Sequence, residues 1–368
     1  MLWIPGPTEV RPAIFQELTT PMFGHRAKAM GETIERIDPG LRLAFGLGAD
    51  PSSQVGVSTS SATAMMEGSL QGVGERILCV INGAFSKRWA EIAETLGKDV
   101  TRLEIPWGQA ADEERLRAAI GGGAKYDAVT LVVNETSTGV LTPLAPIARA
   151  MQESPETMLL VDVVSAIAGC AIDFDTNRID FALAGINKAL ALPPGLCVMC
   201  ASERYLAGAR SRTRRTWYLD PVRTIEGHAE RKTPTTPAIG LYLALARQME
   251  DITSGATLPQ ADQHLKGAQA WQARFDKHQR MRAMTLSWGA KHGFAPFPES
   301  DLSSPTVSCL RAAGIDVPVF LAGLSQAGHV IGGGYGPLKG ETFRIGHMGD
   351  HTEDNLALLL QDASKLLA

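Results

Sequence analysis

Short apolar runs alternate with amphipathic stretches between residues 27 and 200, and this alternation constrains the fold more than any other feature. The apolar runs predict strands at residues 55–58, 76–81, 100–105, 128–133, 158–163, 181–184 and 196–200. The amphipathic stretches predict helices at residues 27–47, 63–73, 86–97, 112–120 and 146–153. Such alternation is typical of an α/β fold in which helices cover both faces of a parallel sheet.

The pattern changes after about residue 235. Helices are predicted at residues 238–252, 261–284 and 353–367, and strands at residues 306–310, 330–331 and 343–345. This mixture indicates a smaller α+β domain, and 368 residues exceed the usual size of a single core. We therefore predict an N-terminal arm at 1–16, a large domain at 17–252 and a small C-terminal domain at 253–368. The density of Pro and Gly in the arm, which includes Pro5-Gly6-Pro7-Thr8, predicts an irregular segment.

Charge, hydropathy and cysteine content argue against a nucleic-acid-binding, membrane or secreted protein. The net charge of 35 − 39 = −4 gives no general attraction to nucleic acid or to an anionic membrane. The longest apolar stretch, residues 189–201, is interrupted by Pro193-Pro194-Gly195 and is too short to cross a bilayer. The first residues lack the pattern of a signal peptide, and five cysteines do not suggest a disulfide framework. We expect a cytoplasmic protein without a nucleic-acid or membrane partner.

Lys188 lies between the apolar run Phe181–Ala184 and the turn Pro193-Pro194-Gly195. This context places it at the carboxyl edge of the predicted sheet, where open α/β folds bind ligands. Partial desolvation at that edge lowers the pKa of an amine and helps it attack a carbonyl. Taken alone, however, Lys188 is better explained as a structural residue.

Asp162 ends the hydrophobic run Met158–Val161 and precedes Lys188 by 188 − 162 = 26 residues. An unpaired carboxylate is unfavourable beside such a strand, so we expect a cationic or hydrogen-bonding partner for it. A protonated pyridine nitrogen would serve, and its protonation is what makes the ring an electron sink. A helix N-cap is the alternative interpretation of Asp162.

Residues 58–63 read Ser-Thr-Ser-Ser-Ala-Thr, follow a predicted strand and open a predicted helix. Backbone N–H groups at the positive end of a helix, together with these hydroxyls, suit a phosphate group. A plain helix cap is the alternative. The chain contains no Gly-Lys-Ser/Thr, so the segment is not a Walker loop.

In this order and spacing, the motifs resemble the class V aminotransferases of pyridoxal-5′-phosphate (PLP) fold type I. This group contains alanine–glyoxylate, serine–pyruvate and 2-aminoethylphosphonate–pyruvate transaminases, and the resemblance covers nearly the whole chain. Its other motifs are Gly24-His25-Arg26, Asn82-Gly83-Ala84-Phe85, Glu135-Thr136-Ser137-Thr138-Gly139, Asn187-Lys188 and Phe343-Arg344-Ile345-Gly346-His347-Met348-Gly349. The resemblance implies a mostly parallel seven-stranded sheet in the large domain, a smaller α+β domain, and a homodimer with shared active sites.

The resemblance also implies roles for single residues. Lys188 would be the Schiff-base lysine and the base that moves the substrate proton, while Asp162 would pair with the pyridinium nitrogen. The other implied cofactor contacts are the ring faces at Phe85 and Val164, the phenolic oxygen at Thr136, the phosphate at Ser61, Ala62, Thr63 and Asn187, and Thr235 of the neighbouring subunit. The family often has tryptophan at the position of Phe85 and glycines in the phosphate turn, where this chain has Ser60 and Ala62.

Arg344 is the candidate for binding the substrate. A planar guanidinium binds a carboxylate through two parallel hydrogen bonds, and the surrounding Phe-Arg-Ile-Gly matches the carboxylate-binding arginine of the family. An isolated arginine would instead be interpreted as a surface ion pair. Arg26 would either read a second anionic group or tie down the N-terminal arm, and we favour the second.

Four further motifs receive structural interpretations. Cys197 and Cys200 lie in a predicted strand and are expected to be core residues, because no second pair exists for zinc. His347 and His351 are separated by Gly349, which disfavours a metal-binding helix, and we predict no metal site. The remaining two are the Gly-rich residues 332–336, expected to shape the pocket, and the basic residues 210–215, expected to be solvated or at an interface.

The predicted function is a two-stage transamination through pyridoxamine phosphate, from alanine, serine or aspartate to glyoxylate or pyruvate. A 2-aminoethylphosphonate–pyruvate-type transaminase is the first alternative, because Asn82-Gly83-Ala84-Phe85 fits that branch nearly as well. Cysteine desulfuration is weaker, because desulfurases carry a histidine directly before the lysine and this chain has Asn187. A PLP-fold protein that has lost its activity is disfavoured by the retention of Lys188, Asp162 and Arg344.

Overall fold

The computed structural model describes residues 1–48, 52–121, 125–213 and 216–367. In chain order, its strands are β1 (Leu2–Trp3), β2 (Gln54–Ser58), β3 (Arg76–Ile81), β4 (Asp99–Glu104), β5 (Ala128–Val132), β6 (Asn134–Glu135), β7 (Val140–Leu141), β8 (Met158–Asp162), β9 (Phe181–Gly185), β10 (Cys197–Ala201), β11 (Ser308–Arg311), β12 (Val330–Gly333) and β13 (Thr342–Ile345). Its helices are α1 (Pro12–Glu17), α2 (Lys28–Phe45), α3 (Ala62–Gln71), α4 (Ala84–Thr95), α5 (Glu113–Gly121), α6 (Leu144–Met151), α7 (Glu203–Arg210), α8 (Pro221–Ala229), α9 (Ile239–Thr253), α10 (Ala268–Lys291), α11 (Val317–Gln326) and α12 (Glu353–Lys365).

The large sheet has seven strands in the order β2-β10-β9-β8-β5-β3-β4. Strand β10 is antiparallel to both of its neighbours, and the other neighbouring pairs are parallel. The reversal follows from the connection at residues 186–196, which is too short to hold the crossover helix that a parallel partner needs. The predicted α/β fold with a mostly parallel seven-stranded sheet is therefore confirmed.

Both faces of the large sheet are buried, which explains why its strands read as continuous apolar runs. In β3, Leu78 and Val80 join the hydrophobic cluster on one face, while Ile77, Cys79 and Ile81 join the cluster on the other. Each fully buried aliphatic side chain of this kind stabilises the fold by about 1.5–3 kcal/mol. A core on both faces makes the sheet a rigid platform for the residues that follow its strands.

A second, four-stranded sheet has the order β1-β12-β13-β11 and packs with α10, α11 and α12 around its own hydrophobic cluster. Strand β1 pairs in parallel with β12, so that Trp3 lies opposite Ile331. The arm is therefore not irregular throughout, as the sequence predicted, since it contains β1 and most of α1. The sequence could not reveal β1, because a strand of two residues is too short to show an alternating pattern. It did contain a signal for α1, because Pro12 occupies the first turn of that helix, where proline is favoured.

Other differences concern helices after residue 200. Helix α10 begins at Ala268 rather than at residue 261, because Gln260–Asp262 forms a separate 3-10 turn and Gly267 adopts a positive φ of 55°. Helices α7, α8 and α11 were not predicted. Within the described residues, no helix is both long and apolar enough to cross a membrane. The domain boundaries at 16/17 and 252/253 stay predictions.

Candidate active site

A cavity of about 200 Å³ opens at the carboxyl ends of β8 and β9. All the predicted cofactor-binding residues except Thr235 line it. The lining residues are Ser61, Ala62, Thr63, Met66, Phe85, Arg88, Val132, Asn134, Thr136, Asp162, Val164, Asn187 and Lys188. The cavity therefore gathers residues from five separate stretches of the chain that the sequence had singled out.

Lys188 lies three residues after the end of β9, and its side chain extends to the loop after β6. Its Nζ donates a hydrogen bond of 2.8 Å to Oγ1 of Thr136 and lies 4.8 Å from the ring centre of Phe85. Burial lowers the pKa of the Lys188 amine to about 8, although the carboxylates of Asp162 and Glu135 favour its charged form. Desolvation thus prevails over two neighbouring charges and makes the neutral, nucleophilic amine accessible near neutral pH.

Asp162 is the last residue of β8, next to β9 in the sheet, and its side chain is almost completely buried. Its Oδ1 accepts a hydrogen bond of 2.7 Å from the backbone N–H of Val164. Burial raises the pKa of the Asp162 carboxyl to about 6, although that N–H and the charge of Lys188 both lower it. A cation placed beside Asp162 would offset this desolvation.

The amino end of α3 forms another wall of the cavity. Ser61 is the N-cap, and its side chain accepts a hydrogen bond of 3.3 Å from the backbone N–H of Ala64. The first-turn N–H groups have no acceptors within the helix, and the helix dipole adds positive potential at this end. The predicted helix cap and an anion site are therefore compatible at Ser61.

Glu135 fixes the start of α4 and with it the position of Phe85. Its fully buried carboxylate accepts hydrogen bonds of 3.1 Å from the backbone N–H groups of Phe85, Ser86 and Ser137. A β-carbon at Gly83 would collide with the Glu135 side chain, so this position requires glycine. The sequence motif contained Glu135 but did not indicate this anchoring role, because Phe85 and Ser86 lie 50 and 49 positions away from it.

Arg344 lies on β13 and does not itself line the cavity. Its Nε donates to the backbone oxygen of Gly333 at 2.9 Å, and its Nη1 donates to the backbone oxygen of Thr136 at 3.0 Å. Tyr335 belongs to the Gly-rich segment. Its ring centre lies 5.6 Å from the guanidinium carbon of Arg344 and 5.8 Å from the ring centre of Phe85. Arg344 is thus fixed beside the cavity by Thr136 and by the Gly-rich segment that was predicted to shape the pocket.

The N-terminal arm also reaches the site. The backbone N–H of Thr8 donates to the backbone oxygen of Asn187 at 3.1 Å, and Gly6 packs against the side chain of Lys188. Sequence patterns did not indicate this contact. Arg26, by contrast, is exposed, and Thr235 borders a different, smaller recess together with Tyr218.

Four cavity-lining residues were not among the predicted site residues: Met66, Arg88, Val132 and Asn134. A helical spacing signalled one of them, because Arg88 follows Phe85 by three positions and so shares its face of α4. Its guanidinium carbon lies 5.0 Å from the ring centre of Phe85. Val132 and Asn134 could have been suspected as cavity residues because they lie close to Glu135 and Thr136 in the sequence.

The remaining motifs lie outside the cavity. Cys197 and Cys200 are buried in β10, and all five cysteines are free thiols. His347 shares a hydrogen bond of 2.8 Å between its Nε2 and Oγ of Ser308, and Nε2 of His351 lies 2.8 Å from the backbone oxygen of Leu2. In the basic run, Arg210 pairs with two glutamates at the surface, while positions 214 and 215 lie outside the described residues.

Comparison with known proteins agrees with this geometry. The aminotransferase class-V family model matches residues 55–292. An uncharacterised aminotransferase of Methanocaldococcus jannaschii is 30% identical over 359 residues, which cover 95% of this chain and 88% of that protein. The L-aspartate–glyoxylate aminotransferase of Paracoccus denitrificans is 28% identical over 364 residues, covering 96% and 87%. The crystal structure of a subgroup IV aspartate aminotransferase from Thermus thermophilus has a TM-score of 0.86 at 30% identity, covering 100% of this chain and 98% of that chain.

The family match spans more than half of the chain, and the structural similarity extends over all of it. The fold type I architecture and the transaminase class predicted from the motifs are thereby confirmed. This chain belongs to the class V aminotransferase family.

Proposed function

We propose that this chain moves the amino group of alanine, serine or aspartate to glyoxylate or pyruvate, with PLP as its cofactor. The observation that carries the proposal is that one cavity holds two desolvated groups, the amine of Lys188 and the carboxylate of Asp162. They lie at the carboxyl ends of the neighbouring strands β9 and β8. The similarity to a relative named for L-aspartate and glyoxylate supports this class of substrates.

The chemistry of the cavity residues fits the cofactor. The Lys188 amine can bond to an aldehyde, the Asp162 carboxylate can pair with a pyridinium nitrogen, and the first turn of α3 can bind a phosphate. Within the described residues, Oδ1 of the cavity-lining Asn134 is a buried polar atom without a hydrogen-bond partner. A bound group that offers a hydrogen-bond donor would satisfy this oxygen.

Lys188 and Asp162 would have different roles in the reaction. When bound, PLP supplies an electron sink and a carbonyl that exchanges with the amino group of the substrate. With its pKa lowered to about 8 by burial, the Lys188 amine is partly neutral near neutral pH, so it can take a proton from the substrate's α-carbon and return it. Asp162, shielded from water, would keep the proton on the ring nitrogen.

Arg344 would bind the substrate carboxylate. Two of its donors are held by the backbone oxygens of Gly333 and Thr136, which fixes the plane of the guanidinium. Among the described residues, no acidic side chain forms an ion pair with it. Its remaining donors can therefore form the parallel pair of hydrogen bonds that orients a carboxylate.

We also infer a homodimer in which Thr235 completes the site of the neighbouring subunit. Thr235 lies outside the cavity of its own chain, next to Tyr218, whose Oη donates to the backbone oxygen of Thr59 at 2.8 Å. Trp217 and Tyr218 are 58% and 54% exposed, which is unusual for large aromatic side chains and supports coverage by a second copy. A cytoplasmic location stays a prediction that the free cysteines support.

The central test is spectroscopic. The PLP-loaded protein should show a visible absorbance band that borohydride removes, and peptide mass spectrometry should then find the reduced cofactor on Lys188. Lys277 is an internal control, because it is also buried with a lowered pKa but lies outside the cavity. Absence of the band, or modification of Lys277 instead, would contradict the assignment. Spectra recorded with alanine, serine and aspartate in turn would identify the donor.

Shared sites have a test of their own. Lys188→Ala and Thr235→Ala chains should each be weakly active, but a mixed dimer contains one site with both native residues. Unfolding and refolding the two variants together should therefore restore activity. If Thr235 served its own chain, the mixture would stay as inactive as its parts.

A further inference from the structure

A chain of buried hydroxyl groups leads away from Lys188. Its first bond runs from Nζ of Lys188 to Oγ1 of Thr136 at 2.8 Å, and its second joins Oγ1 of Thr136 and Oγ of Ser165 at 2.8 Å. The third runs from Oγ of Ser165 to the backbone oxygen of Asn134, again at 2.8 Å. Thr136, Ser165 and Asn134 are each at most 3% exposed, so bulk water does not compete for these bonds.

The last bond sets the direction of the others. A hydroxyl group has one proton to donate, and a carbonyl oxygen can only accept. Ser165 gives its proton to the carbonyl of Asn134, so the bond between Ser165 and Thr136 must be donated by Thr136. The hydroxyl proton of Thr136 therefore points away from Lys188, and Thr136 presents only a lone pair to the amine.

The position of Ser165 is itself fixed. Its backbone oxygen accepts hydrogen bonds from Nδ2 of Asn134 at 2.8 Å and from Oγ1 of Thr306 at 2.7 Å. The side chain of Asn134 donates at 2.8 Å to Oγ1 of Thr306 as well, which closes a small network. A network in which each bond restrains the next leaves the Ser165 hydroxyl little freedom to turn.

We propose that Ser165 is a positioning residue for the proposed reaction: by accepting the Thr136 proton, it makes Thr136 a fixed acceptor that holds one N–H of Lys188. The proposal rests on the proposed function only in taking Lys188 as the reacting amine. With one N–H bound to Thr136, the rotation of the amine is restricted, and its lone pair is directed away from Thr136.

Removal of the Ser165 hydroxyl has a definite electrostatic consequence. The buried hydroxyl of Thr136 then loses its acceptor, and its proton can turn to the lone pair of the Lys188 nitrogen. That lone pair exists only in the neutral amine, so the Ser165→Ala variant should stabilise the neutral form. The charged groups that act on Lys188 are Asp162 on β8, Glu135 on β6, Arg344 on β13 and Arg88 on α4, and the variant leaves all four in place.

The test follows the neutral amine directly. The full-length, cofactor-free protein is pulse-labelled with acetic anhydride across a pH series, and acetylation of Lys188 is measured by peptide mass spectrometry relative to the exposed Lys28. We expect the midpoint of the Lys188 profile to fall by about one pH unit in Ser165→Ala. Ser165→Cys, which is similar in size but a much weaker hydrogen-bond partner, should shift it in the same direction and serves if the alanine variant does not fold.

Ser69→Ala is the matched control. Ser69 is also a buried serine that donates to a backbone oxygen, that of Met66 at 2.9 Å, but it is not linked to Lys188. In Ser69→Ala, the midpoint of the Lys188 acetylation profile should equal that of the wild type. Unchanged midpoints in both Ser165 variants, or an equal shift in Ser69→Ala, would overturn the proposal. Because no cofactor or turnover is involved, this result is independent of whether the borohydride test of the proposed function succeeds.

Discussion

Gly6 lies directly against the aliphatic part of Lys188, so the N-terminal arm touches the residue at the centre of the site. A β-carbon at Gly6 would be 2.9 Å from Cγ of Lys188, which is closer than such atoms normally approach. The backbone of Gly6 also has a φ of 113°, which side chains disfavour. The arm thus restricts where the Lys188 side chain can lie.

Gly6→Ala should therefore destabilise the protein and displace Lys188. We expect a loss of about 2–4 kcal/mol in the free energy of unfolding, from the backbone strain and the contact together. Gly97→Ala is the control, because Gly97 also has a positive φ but nothing lies within 4 Å of its added β-carbon. Urea unfolding of both variants measures the difference. Equal losses of unfolding free energy in the two variants would show that the Lys188 side chain can move away from the added β-carbon at no cost.

Asp162→Asn should make the cofactor-free protein more stable at neutral pH. Burial raises the pKa of Asp162 from 3.8 to about 6, so the native state retains a proton that the unfolded state releases between these values. Stability therefore falls as the pH rises through this window, and the penalty of ionisation is complete above about pH 6. Asparagine keeps an acceptor for the N–H of Val164 and has no such penalty.

We expect a gain of about 1–3 kcal/mol for Asp162→Asn at pH 7.5, which vanishes near pH 4. Thermal unfolding across this pH range measures it. The same variant should bind PLP more weakly, because the amide cannot hold a cation. Stability curves that stay parallel to those of the wild type from pH 4 to pH 7.5 would contradict the burial of an ionised Asp162.

Glu135→Gln should be strongly destabilising although the change is nearly isosteric. Both carboxylate oxygens accept from N–H groups, so the amide nitrogen of glutamine must face at least one donor on α4 or at Ser137. Leaving such donors buried and unsatisfied costs about 2–4 kcal/mol. Glu203→Gln, which removes an exposed pair with Arg210, should cost less than about 1 kcal/mol. Similar unfolding midpoints for both variants would exclude the anchoring role of Glu135.

Arg344→Lys should raise the KM for the amino acid and the oxo acid by about 100-fold, because an ammonium group cannot form the bidentate pair. The PLP absorbance band should persist. Arg311→Lys, on the adjacent strand β11, is the control and should leave KM unchanged. Steady-state kinetics measure both variants. Loss of the PLP band in Arg344→Lys would instead assign Arg344 to the cofactor.

The large sheet was predictable because burial on both faces produces continuous apolar runs. The limits of β3 coincide with the predicted residues 76–81. Helices α8 and α11 were missed although each begins with an aspartate N-cap and a proline in the first turn, which are recognised start signals. The buried residues of α8 include the polar Thr224 and His228, and α11 is apolar at most of its positions, so neither shows a clear helical period in the sequence.

The site was predictable where a side chain lies at or just beyond the carboxyl end of a strand, as Asp162 and Lys188 do. Parallel topology brings such positions together whatever their separation in sequence. Contacts made by the backbone or by buried hydroxyls had no such signal. Gly6 against Lys188, Glu135 at the start of α4, and Ser165 behind Thr136 each depend on how distant segments pack, which no local pattern encodes.

The parallel pairing of β1 with β12 has a consequence for the order in which the protein is completed. During translation, residues 2–3 emerge early, but their partners at residues 330–331 are made more than three hundred residues later. Domains tend to fold as they emerge, so the large sheet can form while the arm is still unpaired. Until β12 is made, the arm lacks its β1 pairing and is held only by its contacts with the large domain, such as the hydrogen bond between Thr8 and Asn187. A ribosome-bound chain should thus form its large core well before both ends of the arm are fixed.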